Sequence, residues 1–405
     1  MPAKLRFHAA PATFVSLAVI LAFSAASVVA LSSASTSRSR VSGARRSAPA
    51  ASPQPQCGDT ITADTTLHRN LVNCPNNGII IGADDVTLDL NYHTIDGDRA
   101  ATPGCDPQTE FCDVGVVADG HDGVTVVHGS LREFEVGADV IGARHARVLG
   151  LSASRNRFIG IRFFESAKSL VQNSSGSGTV CCRGSAGTGM FLVGSDHIRV
   201  LHNSFRNNGA EGIFVASAAH NLIKGNLTSH NKGLAAIFLS SANRNRVMRN
   251  RSVRDREIAI ADDGHRNVIA RNRIAHAAQA IAVGFGHHNV IARNSIRDTE
   301  DDAISVGLSE VVGTMVRRNH IRGAGEDGIH VMETAKQTRL RGNRARHSKD
   351  DGIDVESRTT KLTRNRAVRN GDLGIEAVRG VIDGGGNEAS GNGDPRQCTN
   401  IVCSR

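Results

Sequence analysis

The phrase Glu326-Asp327-Gly328-Ile329-His330-Val331 returns further along as Asp350-Asp351-Gly352-Ile353-Asp354-Val355, and Asp301-Asp302 precedes the related Ala303-Ile304-Ser305-Val306. In each, two acids lead into an apolar–x–apolar pattern whose middle position holds Ser305, His330 or Asp354. Residues of these types support three kinds of chemistry. Crowded carboxyls raise one another's pKa, so one can keep its proton as a general acid. A histidine among them can serve as a general base. Rows of carboxylate oxygens can hold Ca²⁺. On this reading His330 is the candidate base, with Asp327, Asp351 and Asp354 around it. Asp302, Asp327 and Asp351 are the candidate calcium ligands, and Lys349 or Arg322 the cation facing a substrate carboxylate. Glu376 extends the row toward the substrate. The competing reading is a solvated turn in which Lys349, His347 and Arg322 neutralise the acids.

The spacing of these acids is one instance of a longer pattern. Asn203, Asn226, Asn250, Asn272, Asn294, Asn319, Asn343 and Asn365 recur at a solenoid-like interval of about 22–25 residues. Each has an apolar residue three positions earlier: Val200, Ile223, Val247, Ile269, Ile291, Val316, Leu340, Leu362. Asn91, Gly129, Gly150 and Asn173 read as the same corner upstream. Asn and Gly tolerate left-handed backbone most cheaply, which predicts a sharp bend there. Stacked Asn amides can also hydrogen-bond along the stack. Before each corner runs an alternating stretch such as Gly212-Ile213-Phe214-Val215 or Gly352-Ile353-Asp354-Val355, which predicts a strand with Ile and Val inward. Nothing here has room for helical periodicity. The expected fold is all-β: a parallel β-helix solenoid of three short strands per coil and about fifteen coils from Cys57 onward, because no unit can bury its inner face alone.

Residues between the inward pair must point out. Coil by coil they are Arg162, Phe191, Phe214, Phe238, small residues near Ile260 and Ala282, then Ser305, His330, Asp354 and Glu376. The three phenylalanines are candidate sugar-stacking residues, or a ladder packed beneath the insertion near 174–188. Carboxyls on adjacent coils would lie about 5 Å apart and on alternate coils nearly 10 Å, which straddles retaining and inverting glycosidase separations. His265 and His287 occupy equivalent turns and can share a transition metal, or be surface histidines. Arginines flank the corners (Arg249, Arg251, Arg271, Arg273, Arg293, Arg318). They can attract anionic glycans, but the favoured reading is a solubilising surface that discourages lateral strand pairing.

Composition bounds the setting. The 405 residues include no Trp, one Tyr (Tyr92) and 13 Phe, and the net charge is +9. Six cations lie in residues 1–50, which carry no acid, so the remainder has only +3. That near-neutrality excludes general nucleic-acid binding. Lys4 and Arg6 precede an uncharged run ending in small residues, which predicts a signal peptide over 1–30, or a membrane anchor if it is not cleaved. Residues 31–56 read as a Ser/Ala/Arg/Pro linker, and 57–405 as a single domain with insertions near 98–113 and 174–188. Eight cysteines in an exported chain point to disulfides. Cys57 and Cys74 bracket the first folded segment and Cys398 and Cys403 the last, while Cys105 and Cys112 can cross-bridge to Cys181 and Cys182. The sequence shows no zinc-finger spacing and leaves the oligomeric state open.

The periodic phrasing over roughly residues 57–390, with "VTLDLNYHTIDG" from Val86 to Gly97 as an opening coil, resembles the right-handed parallel β-helix proteins of the pectate-lyase-like superfamily. It is most similar to β-helix repeats of exported carbohydrate-active enzymes and of nitrous-oxide-reductase maturation factors. The resemblance implies binding or modification of an acidic polysaccharide, by β-elimination or C5 epimerisation where catalytic. A non-catalytic binding module is the alternative, and a copper-handling accessory using His265 and His287 a third reading. The Asp-Pro-His motif of alginate epimerases and the paired motifs of polygalacturonases are absent.

Overall fold

The computed structural model describes residues 54–100, 111–180 and 187–404. Among these there is no helix, and so none long and apolar enough to cross a membrane. Short strands stack in parallel register, and one face of the solenoid is a continuous path of fourteen strands from Asp59–Ile61 to Ile375–Ala377. Fourteen coils therefore replace the expected fifteen. One coil illustrates the unit: Ile304–Val306 on this face, Met315–Arg317 and His320–Arg322 on the other two, then Ile329–Val331 directly above Ile304–Val306.

The core follows from the alternation. Ile304, Val306, Ile329, Val331, Ile353 and Val355 are fully buried, stacked on their counterparts above and below. Burying such a side chain contributes roughly 1.5–3 kcal/mol, but only where the next coil covers it. Among the described residues the fully buried aromatics are Phe134, Phe163 and Phe205, so the interior is mainly aliphatic, as the composition implies.

The corners are held by amide ladders. The N–H of Asn250 donates to Oδ1 of Asn272 (2.9 Å), and the N–H of Asn272 to Oδ1 of Asn294 (2.9 Å). Nδ2 of Asn272 donates back to the Val247 carbonyl (3.0 Å). Buried backbone groups that the bend removes from the sheet are thereby satisfied. The sequence pattern exposed one such ladder; the structure has more, including Asn221–Asn245–Asn267–Asn289 and Asn208–Asn231–Asp255.

Several expectations are corrected. The corner asparagines do not adopt left-handed backbone; the residue before each does, as with Arg249 (φ 55°), Arg271 (58°), Arg293 (58°) and Arg318 (56°). Asn must turn its amide inward to bond the next coil, so the positive φ falls one residue earlier, where the side chain faces solvent. Gly150 and Asn173 have positive φ and so occupy that earlier position, whereas in Asn91's coil Tyr92 (φ 63°) fills it, in line with His128. Ser174, not Asn173, receives the Asn203 amide oxygen on its N–H (2.8 Å). Val86–Gly97 lies in the second coil, since Asp59–Ile61 and Leu71–Cys74 precede it. Ser175–Ser177 is a strand paired with Ser204–Arg206, so the insertion placed at 174–188 leaves the coil only after it.

Disulfides join Cys57 to Cys74 and Cys398 to Cys403, at the two ends of the stack. Cys112 is also disulfide-bonded. Cys105, Cys181 and Cys182 lie outside the described residues, as do the segments 1–30 and 31–53.

Candidate functional site

The outward column reads in register Arg162, Phe191, Phe214, Phe238, Ala261, Ala282, Ser305, His330, Asp354, Glu376. Asp302, Asp327 and Asp351, two residues before each inward Ile, form a second column beside it. The chain bends between the two positions, so both face the same side. Asp302 Oδ2 accepts hydrogen bonds from Ser305 Oγ (3.1 Å) and His330 Nδ1 (3.0 Å), which joins the columns.

The acids are scaffold on one oxygen, each bonding the backbone of the next coil. Asp302 Oδ1 accepts the N–H of Asp327 (3.0 Å), Asp327 Oδ1 that of Asp351 (2.8 Å), and Asp351 Oδ1 that of Leu373 (2.7 Å). This is the asparagine-ladder arrangement with a carboxylate in place of an amide. Gln279 Nε2 donates to Ser305 Oγ and extends the network by one coil. Sequence reasoning missed Gln279 and Glu356; the shared period could have found Gln279, two residues before Ile281.

His330 is the centre. Its Nε2 is buried without a hydrogen-bond partner, 3.8 Å from Asp354 Oδ2 and 3.7 Å from Glu356 Oε2. Burial pulls its pKa down, but the Asp302 hydrogen bond and the charges of Asp302, Asp354 and Asp327 outweigh burial and push it up to about 9. The imidazole is therefore protonated at neutral pH, which corrects the simple reading of His330 as a ready base. Burial, then Asp302 and Asp354, raises Asp327 to about 8. Burial, then Asp327 and a proton shared with Glu376, raises Asp351 to about 9. Glu326 and Asp301 are raised as well, by burial first and by neighbouring acids second.

The other candidates distribute differently. Lys349 is exposed and makes no ion pair among the described residues. Arg322 is exposed on another face, in register between Arg297 and Arg346. Neither they nor His347 neutralises the row, so the mixed-charge turn is not what forms; the cation among the acids is His330. Phe191, Phe214 and Phe238 stack ring on ring, with centroids 4.9 and 5.3 Å apart and planes 2° and 10° from parallel. Phe214 thus has both faces occupied by its neighbours and offers only an edge, which removes it as a sugar platform. Phe111, from the insertion near 98–113, and Phe158 pack with Phe191 on the outer cluster of Val114, Val136 and Ile159. Of the insertion at 174–188 expected to cover them, residues 181–186 lie outside the described residues.

Oxygen and nitrogen donors gather in several places. Asp327, Asp350 and Asp351 bring carboxylate oxygens within 4.8 Å of one another, as do Asp351, Asp354 and Glu376. Asp302, Asp327 and His330 form a mixed oxygen–nitrogen group of the same size. The oxygen-only sets fit a hard divalent cation such as Ca²⁺. His265 and His287 stack at 4.9 Å as the period implied, but Nδ1 of His265 accepts the His287 N–H (3.0 Å) and no carboxylate joins them. His197 and His220, stacked at 4.9 Å one corner position along, instead gather with Asp196. The period would have revealed that pair, since the two are one coil apart in sequence, like Asn203 and Asn226 beside them.

A cavity of about 530 Å³ lies elsewhere, lined by Ser152, Asn173, His202 and Gly225, and contains none of the acids. The buried ionisable cluster and this concavity do not coincide.

A family model described as periplasmic copper-binding protein (NosD) matches residues 106–275, and one described as right handed beta helix region matches 258–398. No curated protein matches the chain in sequence. Among solved structures, PfbA, a surface adhesin of Streptococcus pneumoniae, is 14% identical, over 73% of this chain and 82% of its own, with a TM-score of 0.45. The periplasmic alginate epimerase AlgG is 17% identical, over 82% of each chain, with a TM-score of 0.40. The catalytic domain of a GH87 alpha-1,3-glucanase in complex with nigerose is 12% identical, over 89% of this chain and 70% of its own, with a TM-score of 0.42. At these values no activity transfers from them.

Proposed function

We propose that this chain, a right-handed parallel β-helix protein of the pectate-lyase-like kind, is an exported protein that binds an acidic polysaccharide along the His330–Asp354–Glu376 face and modifies it by proton transfer at C5. The observation that carries this reading is His330 held by Asp302 beside two carboxyls, Asp327 and Asp351, that keep their protons at neutral pH. A neutral carboxylic acid can donate a hydrogen bond to a uronate carboxylate, the role that sequence reasoning gave to Lys349 or Arg322. That donation acidifies the C5 proton. His330 accepts the proton once its own is lost, with Asp302 fixing Nδ1 so that Nε2 is the reactive atom. Return of a proton to the opposite face is epimerisation; departure of the C4 oxygen is β-elimination. A divalent cation held by Asp327, Asp350 and Asp351 would supply the positive charge otherwise provided by those protons. Export accords with the disulfides, which persist in oxidising compartments.

The test is incubation with uronate polymers, with and without Ca²⁺, following ultraviolet absorbance of unsaturated uronate and exchange of the C5 proton with deuterium. Wild type should show one of these signals, rising as pH climbs toward 9, and His330→Ala should abolish it. Neither signal at any pH, with polymer binding retained, leaves a binding module instead.

One observation favours a second reading. His197, His220 and Asp196 lie within the stretch matched by the copper-binding family model and offer two imidazoles and a carboxylate, a donor set suited to Cu(II). Copper titration of wild type against His197→Ala/His220→Ala decides it, with equal affinity rejecting the site.

A further inference from the structure

Six successive corner segments, residues 246–251, 268–273, 290–295, 315–320, 339–344 and 361–366, carry fourteen Arg and Lys and no acid. They stack in register. Arg249, Arg271, Arg293 and Arg318 follow the aligned Met248, Ala270, Ala292 and Arg317, and Arg251, Arg273, Ser295, His320, Arg344 and Arg366 form the next column. Cations thus recur one coil apart, about 4.8 Å in the strand-to-strand direction. Among the described residues in these segments only Arg366 meets an acid, Glu388 at 3.4 Å, with both half-exposed. Unit charges at this spacing repel by about 1 kcal/mol even in water.

Local sterics do not ask for arginine here. Arg249, Arg271, Arg293, Arg318 and Arg364 all have positive φ, whereas Gly225, Gly342 and Gly386 fill the same column without strain. The chain therefore accepts both backbone strain and charge repulsion to keep this column basic. Beside it, a cavity of about 260 Å³ is lined by Arg251, Arg273, Arg297 and Ser295, with Val253 and Ile274 beneath.

We infer that this corner and its notch are a docking surface for a linear acidic polysaccharide, on the side of the coil opposite the carboxylate row. A polymer with one anionic group per sugar matches a ladder with one or two cations per coil, since a pyranose ring is about as long as the ~4.8 Å pitch. The six segments contain no Phe, Tyr or Trp on which a nucleic-acid base could stack, and the chain beyond residue 50 is near neutral. The inference goes beyond the carboxylate row, because it requires polymer binding but no turnover.

The experiment compares full-length wild type with Arg249→Asn/Arg271→Asn/Arg293→Asn/Arg318→Asn. Asn is at ease at positive φ, so this variant should fold with an unchanged or higher Tm. Binding to polygalacturonate at fixed ionic strength should weaken tenfold or more, with a shallower salt dependence. The fourfold variant is also assayed for the ultraviolet and deuterium-exchange signals at saturating polymer, so loss of docking and loss of catalysis are separately visible. Undiminished binding by the fourfold variant overturns the inference. So does wild-type binding to neutral dextran, or to duplex DNA, as tight as to polygalacturonate.

Discussion

At the scale of single residues, hydrogen bonding and protonation explain why acids are tolerated in a row. Each carboxyl gives one oxygen to the backbone N–H of the coil above, and keeping a proton on Asp327 and Asp351 removes the repulsion. The cost appears as pH dependence. The folded pKa values of Asp327 (about 8), Asp351 (about 9) and His330 (about 9) all exceed the values expected in the unfolded chain, about 3.9 for Asp and 6.5 for His. The folded state thus binds more protons than the unfolded state between about pH 4 and pH 9, and stability falls as pH rises through that window. Thermal melts in chelator should show Tm declining from pH 5 to pH 9, and Asp327→Asn should flatten the slope. A wild-type Tm that climbs over this range contradicts the assignment. The doubled acids and the histidine were legible in sequence because their positions repeat. His330's protonation was not, because it depends on Asp302, remote along the chain but only 3.0 Å away in space.

At the scale of elements, strands and corners impose different demands. The Gly in "DDGIDV" is set by packing: a Cβ on Gly352 would lie 2.6 Å from the Gly374 carbonyl oxygen and 2.5 Å from Asn370 Nδ2. Gly352→Ala should cost about 1–3 kcal/mol through overpacking. Asn272→Ala removes the acceptor for both the N–H and Nδ2 of Asn250 and leaves buried donors unpaired, a loss of about 2–4 kcal/mol. Urea unfolding of the two variants measures both. If Asn272→Ala matches wild type, the ladder is decoration. The period identified this column, yet it misassigned the left-handed residue by one position. Spacing reports which residues recur; it does not report which of two adjacent ones points inward.

At the scale of the molecule, each coil touches only its neighbours, so stability should vary along the stack. The ends have one neighbour each, and each end carries a disulfide. Reduction should therefore accelerate amide exchange in the terminal coils while the amides around Asn272 and Asn294 stay protected. Uniform acceleration along the whole chain would show instead that the solenoid opens as one unit. The same architecture separates functions by side. The carboxylate row lies on one face, and the arginine corner lies between the other two.

By itself the amino-acid sequence determined the winding. Regularly spaced corners joined by alternating Ile and Val permit no other burial of the apolar groups, so the outward column from Arg162 to Glu376 could be read before any coordinate was known. Tertiary structure decided what each outward group meets. Whether Phe214 offers a face or an edge, whether Lys349 reaches an acid, and whether His330 holds a proton all depend on distances of a few ångströms between side chains on different coils. Burial and Coulomb interactions change steeply over such distances, while residue spacing along the chain stays the same.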